Sequence, residues 1–145
     1  MASSGLIIPD INIWVALAAI EHPHSSAAVH WWKQHDGLIA FIRHAQLGFL
    51  RLTTTAVAMA GKPLTIVEAW RAYDHFFDDE RVTFLPEPDG VERQFRANAA
   101  LHTASPKVWA DAWMLAHAET CGGVLVTFDK ALGPRGAHCL SADAG

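Results

Sequence analysis

Positive charge is scarce in this chain: 11 Lys and Arg stand against 15 Asp and Glu, for a net charge of −4 over 145 residues. No global basic field advertises a polyanion, so any such ligand has to be held by local cations or through a bound metal ion. Cysteine is nearly absent. Cys121 and Cys139 form no C-x-x-C pair, which argues against a thiolate metal site and a disulfide framework; two lone thiols suit a reduced, cytoplasmic chain. The 9 histidines show no H-E-x-x-H spacing, which leaves no sign of a zinc-protease helix. "MASSG" has no basic residue ahead of the first apolar segment, so no secretory leader is expected. Asp10, Asn12 and Glu21 interrupt the apolar stretches well short of a bilayer span, so a soluble protein with no membrane partner is expected. No glycine-rich loop follows the first strand either, where "PDINIW" leaves no cradle for a nucleotide phosphate.

What is abundant is apolar surface: 51% of the residues are hydrophobic and 6 are tryptophans. The length suits a single domain, 1–145, with a substantial core, and some of the aromatic area is expected at an interface. "LII" at 6–8, "LIAF" at 38–41, "VTFLP" at 82–86, "VLVTF" at 124–128 and "AHCL" at 137–140 read as strands. Helical periodicity or composition fills the intervals at 11–20, 24–35, 43–54, 65–78, 89–102 and 106–120. Thr65 and Glu68 have capping-box spacing, and Ser105 with Pro106 reads as an N-cap followed by a first-turn proline. Strands and helices alternating at this rhythm predict a three-layer α/β/α sandwich around a central, mostly parallel sheet with right-handed crossovers.

In such a sheet the strands finish at one edge, and the helices that precede strands begin there, which is where open α/β folds bind ligands. Asp10 ends the first strand, Asp129 lies just past "VLVTF", Asp111 sits near the start of the helix from Pro106, and Gln46 is early in the helix after "LIAF". Three aspartates brought that close repel one another strongly unless a cation sits among them. Oxygen donors without a Cys or His cluster point to Mg2+ or Mn2+.

"PDINIW", "AQLGFLRL", "VWADAWMLAHAE" and "LVTFDKAL", in that order and spacing, resemble a PIN domain of the VapC toxin type over Leu6 to about Leu140. The resemblance implies that Asp10, Asp111 and Asp129 are the metal-binding acids and that Asn12 is the small polar residue beside them. The family's fourth acid falls on Gln46, a catalytic candidate whose carbonyl oxygen can still ligate metal or water, but a departure that removes one negative charge and weakens any second metal ion. The activity implied is RNA cleavage by the toxin of a toxin–antitoxin pair, with a cognate antitoxin and a homodimer as partners. On that reading a divalent ion at Asp10 and Asp129 activates water, Asp111 positions or deprotonates it, and Thr127 fixes the Asp129 carboxylate or donates to the phosphate. Arg43, Arg51, Lys107 and Lys130 are the nearest cations along the chain for guiding RNA. Trp14 and the Trp31–Trp32 pair are expected to touch the antitoxin.

Plainer roles are available to the same residues. Asp10 suits an N-cap, Asp129 a turn, Asp111 a surface pair with Lys107, and Gln46 an ordinary helix surface, while His44 is expected to be structural and "DDE" at 78–80 a solvated helix end. Two other functions stay open: a degenerate PIN module that binds RNA or antitoxin with little turnover, and an aspartyl-phosphate phosphotransferase-type domain. Asn12 in place of a second aspartate and Lys130 directly after Asp129 fit the latter poorly.

Overall fold

The computed structural model describes residues 5–141. Its strands are β1 (Ile7–Pro9), β2 (Ile39–Phe41), β3 (Val82–Phe84), β4 (Val124–Thr127) and β5 (His138–Cys139). They form one five-stranded sheet in the order β3-β2-β1-β4-β5, every pairing parallel. Ile7, Ile8 and Pro9 are all buried, as are Ile39, Ala40 and Phe41. Apolar on both faces is what a parallel sheet covered by helices requires.

The helices are α1 (Ile11–Ala18), α2 (Ser25–Gln34), α3 (Arg43–Thr53), α4 (Ile66–Phe76), α5 (Val91–Asn98) and α6 (Val108–Thr120). They give the α/β/α arrangement that strand–helix alternation predicts. At α4 the capping box is complete: Glu68 N–H donates to Thr65 Oγ1 at 3.1 Å, and Thr65 N–H donates to Glu68 Oε1 at 2.9 Å. The start of α6 differs from the sequence reading. Ser105 is not the cap; Val108 N–H donates to its backbone carbonyl in a preceding turn, and Lys107 holds the cap position without a side-chain bond.

Aromatic rings dominate the packing between the sheet and α1, α3 and α4. Trp14 stacks on Phe41 with ring centroids 3.6 Å apart, and Phe76, Tyr73 and Phe49 meet Phe41 edge-on or tilted. Trp14 is fully buried and Trp31 nearly so, which overturns the expectation that these two rings touch a partner. Stacking on Phe41 decides it for Trp14, and packing against Trp32 and His35 for Trp31. The acidic run at 78–80 is likewise not wholly solvated. Asp79 Oδ2 accepts from Arg81 Nη2 at 2.8 Å, and Arg81 Nη1 donates to the Trp32 and His35 carbonyls, pinning the end of α2 beside β3. Among the described residues no helix is long and apolar enough to cross a membrane, and both cysteines are free.

Chain order runs outward from β1 through β2 to β3, then returns to the other side of β1 with β4 and β5. The reversal opens a crevice between the carboxyl ends of β1 and β4, the position where ligands enter open α/β sheets.

Candidate active site

Asp10 and Asp129 flank that crevice, and neither has a free choice of conformation. Asp10 caps α1, its Oδ1 accepting from Ile11 N–H at 2.7 Å. Its backbone N–H continues the sheet by donating to the Val126 carbonyl at 2.7 Å. Its second oxygen, Oδ2, accepts from the Thr127 hydroxyl at 2.9 Å. Thr127 is buried at the end of β4, and its Oγ1 also accepts from Asp129 N–H at 3.0 Å. Thr127 thus orients the Asp10 carboxylate and the Asp129 backbone, a correction to the expectation that it holds the Asp129 carboxylate. Asp129 Oδ1 in turn caps a 3-10 turn at Lys130–Arg135, accepting from Ala131 N–H at 3.0 Å. The plain capping readings of Asp10 and Asp129 therefore hold, and each residue still keeps a carboxylate at the crevice.

Asp111 comes from the first turn of α6, half-buried, with no hydrogen-bond partner among the described residues. Burial pushes its carboxyl above the ordinary carboxylate range, and the charges of Asp129 and Asp10 push it the same way, while Lys107 and Arg135 oppose them. The three carboxylates are near enough to act on one another, as their places at one sheet edge predict. They do not close into a finished cage: among the described residues no three His, Cys, Asp or Glu side chains are grouped tightly enough to hold a metal ion. Like charges repel, and Asp10 and Asp129 are each held by their caps. An all-oxygen donor set of mutually repelling carboxylates fits a hard divalent cation.

The structure sorts the remaining candidates. Lys107 does not pair with Asp111; its Nζ lies 4.0 Å from Asp129 Oδ2, on the exposed rim. Gln46 is no surface residue. It is buried, its Oε1 accepts from Arg43 Nη1, and its side chain hydrogen-bonds Tyr73. Arg43 stacks its guanidinium over the Phe84 ring at 4.7 Å, so it belongs to this local network. Asn12 is exposed on α1, and Lys130 and Arg51 are exposed as well. Burial lowers the proton affinity of His44, with Asp10 opposing that and Arg51 adding to it. Gly48 lets α3 press against α1, since a Cβ there overlaps the Ile11 side chain.

One cation escaped the sequence reading. Arg135, six residues past Asp129, is carried back by the 3-10 turn, which closes on Gly136 in the left-handed region at φ 103°. Its Nη2 donates to the Asn98 carbonyl at the end of α5 at 2.8 Å. The signal available was the Pro134-Arg135-Gly136 turn composition, which marks a reversal but not where it leads.

A family model of the PIN domain matches residues 7–133. Ribonuclease VapC41 of Mycobacterium tuberculosis, from strain CDC 1551 / Oshkosh and from strain H37Rv, is 43% identical over 132 residues, spanning 87% of this chain and 90% of that protein. The crystal structure of Mycobacterium tuberculosis VapC20, a sarcin-ricin loop cleaving toxin, matches with a TM-score of 0.68 at 14% identity, over 93% of this chain and 99% of that one. This last likeness is one of fold.

Proposed function

Because the chain belongs to the VapC type of the PIN-domain family, we propose that it is a metal-dependent endoribonuclease, the toxin of a toxin–antitoxin pair. The observation that carries this reading is the meeting of Asp10, Asp111 and Asp129, from three distant segments, at the crevice where the chain order reverses. These three carboxylates would hold Mg2+ or Mn2+. Such an ion, when bound, offsets phosphate charge and lowers the pKa of water.

The chain's own contributions follow from the geometry. Thr127 and the cap on Ile11 N–H hold the Asp10 carboxylate in one orientation, so it meets its ligand with little rotamer entropy left to lose. Asp111, half-buried at the crevice, is placed to accept the proton of the attacking water. The new O–P bond forms as the bond to the leaving O3′ breaks, which leaves a 5′ phosphate and a 3′ hydroxyl. With Gln46 committed to Arg43 and Tyr73, the site offers three acids and is built for one ion. Asn12, Lys107, Lys130 and Arg51, all exposed, are the candidate contacts for the RNA backbone.

Family membership also supports a cognate antitoxin, a homodimer and a cytoplasmic location. With Trp14 buried, the antitoxin contact falls to exposed apolar residues such as Trp70 or Trp109, which are 45% and 60% exposed. A second reading, a module that binds RNA without turnover, draws on the neutral Gln46 alone. For the aspartyl-phosphate alternative nothing speaks: both Asp10 oxygens are already hydrogen-bonded.

The deciding experiment expresses the wild type and Asp10→Asn side by side and follows growth, with RNA cleavage by the purified proteins in Mg2+ or Mn2+ and then in chelator. The wild type slows growth and cuts RNA until the chelator is added; the variant does neither. Equal toxicity from both chains removes the nuclease mechanism, and metal-independent cutting removes the cation.

A further inference from the structure

Three carboxylates around one divalent ion still leave a net negative site, and an RNA phosphate brought there adds more negative charge. A fixed cation has to stand on the substrate side of the acids. Lys107 is mostly exposed and leans on Asp129, and Arg43 is tied to Gln46 and Phe84. Arg135 is placed differently. It is half-buried and anchored through one N–H on the Asn98 carbonyl. Asn98 itself is fixed, its Nδ2 donating to the Ala112 carbonyl at 3.2 Å and its Oδ1 accepting from Gln94 Nε2 at 3.0 Å. Ala112 is the neighbour of Asp111, so this chain of bonds sets the guanidinium against the start of α6. The anchor is the carbonyl end of a helix, which favours a cation.

Among the described residues Arg135 makes no ion pair within 4.0 Å and no second hydrogen bond. Through Asn98 and the Ala112 carbonyl it is set against the helix that carries Asp111. A planar fork with donors unspent, held rigidly beside an acidic site, suits bidentate capture of a phosphate. The geometry points to Arg135 as a substrate-binding residue that grips an RNA backbone phosphate next to Asp111. This assignment rests on the nuclease reading and adds to it a named contact.

The test separates that role from a merely structural pin. Arg135→Gln keeps a donor for the Asn98 carbonyl and loses the charge; Arg135→Lys keeps the charge and loses the fork. Binding of a fluorescein-labelled single-stranded oligoribonucleotide is measured by anisotropy in chelator across a salt series, with cleavage and thermal melting beside it. Arg135→Gln is expected to melt like the wild type, to flatten the slope of log affinity against log salt by about 0.7, and to lose roughly tenfold or more in kcat/KM. Arg135→Lys restores the salt slope and recovers only part of the rate. If the wild type binds RNA and Arg135→Gln matches it in slope and rate, the phosphate contact is overturned and Arg135 is a pin. If the wild type neither binds nor cuts RNA, the nuclease reading falls and takes this contact with it.

Discussion

The hydroxyl of Thr127 donates to Oδ2 of Asp10 at 2.9 Å, a bond between residues 117 apart in the chain. It clamps the carboxyl ends of β4 and β1 together at the crevice, and the same oxygen accepts the N–H of Asp129. Replacing Thr127 by Val preserves shape and strips both bonds, leaving Asp129 N–H without its acceptor. The expected cost is about 1–3 kcal/mol of stability, read from urea denaturation, together with a fall in RNA cleavage. Thr127→Ser keeps the hydroxyl and recovers most of both. Wild-type behaviour from Thr127→Val means the clamp is idle.

Asp111 makes the metal-free protein less stable than its fold allows. Its carboxyl is raised above the ordinary range by burial and by Asp129 and Asp10. A raised acid stabilises the fold below its unfolded-state pKa, and that contribution disappears as pH rises through the folded-state value. In chelator at neutral pH, Asp111→Asn is therefore expected to melt above the wild type, with the gap narrowing as the pH falls into the carboxylate range. On the proposed reading, divalent ion is expected to reverse the ranking by binding the wild type more tightly. Calorimetry with and without Mn2+ reads both signs, and an Asn variant that is less stable in chelator contradicts the repulsion.

The parallel sheet and the gathering of Asp10, Asp111 and Asp129 at one edge were legible because strand ends and helix starts follow from hydrophobic period and chain order. Side-chain commitments were not. Gln46 reads either as a fourth site residue or as plain helix surface until Arg43 and Tyr73 close over it. Trp14 reads as a partner contact until Phe41 stacks on it. Ser105 has the right chemistry for a cap, but the chain takes another turn before α6 begins. Arg135 was invisible because no local pattern says where a 3-10 turn points. Trp14 and Arg135 were missed because their partners are long-range contacts chosen by packing, which a linear pattern does not encode.

Phe41 tests the core that holds these edges. It is fully buried, with Trp14, Phe49, Tyr73, Phe76 and Phe77 around it. Phe41→Ala opens a void between the sheet and its helices, at an expected cost of about 3–5 kcal/mol. Phe41→Leu costs less. A loss under about 1 kcal/mol in chemical denaturation means that the neighbouring rings collapse into the gap more freely than their packing suggests.

Gln46→Glu restores the acid that the family places at this position, and the surroundings predict that it gains little metal. The Gln46 oxygen already faces the Arg43 guanidinium, which itself rests on Phe84. A carboxylate there pairs with Arg43 instead of turning to the crevice, because leaving that arginine and freeing a buried charge both cost energy. Mn2+ titration by calorimetry is expected to give one ion per chain for wild type and variant alike, with affinities within about threefold, about 0.65 kcal/mol. The double change Gln46→Glu with Arg43→Met removes the competing partner, and a second ion is expected to bind to that protein. If Gln46→Glu alone takes up two ions, Arg43 does not hold this position, and the site is open to two metals with only its charge lacking.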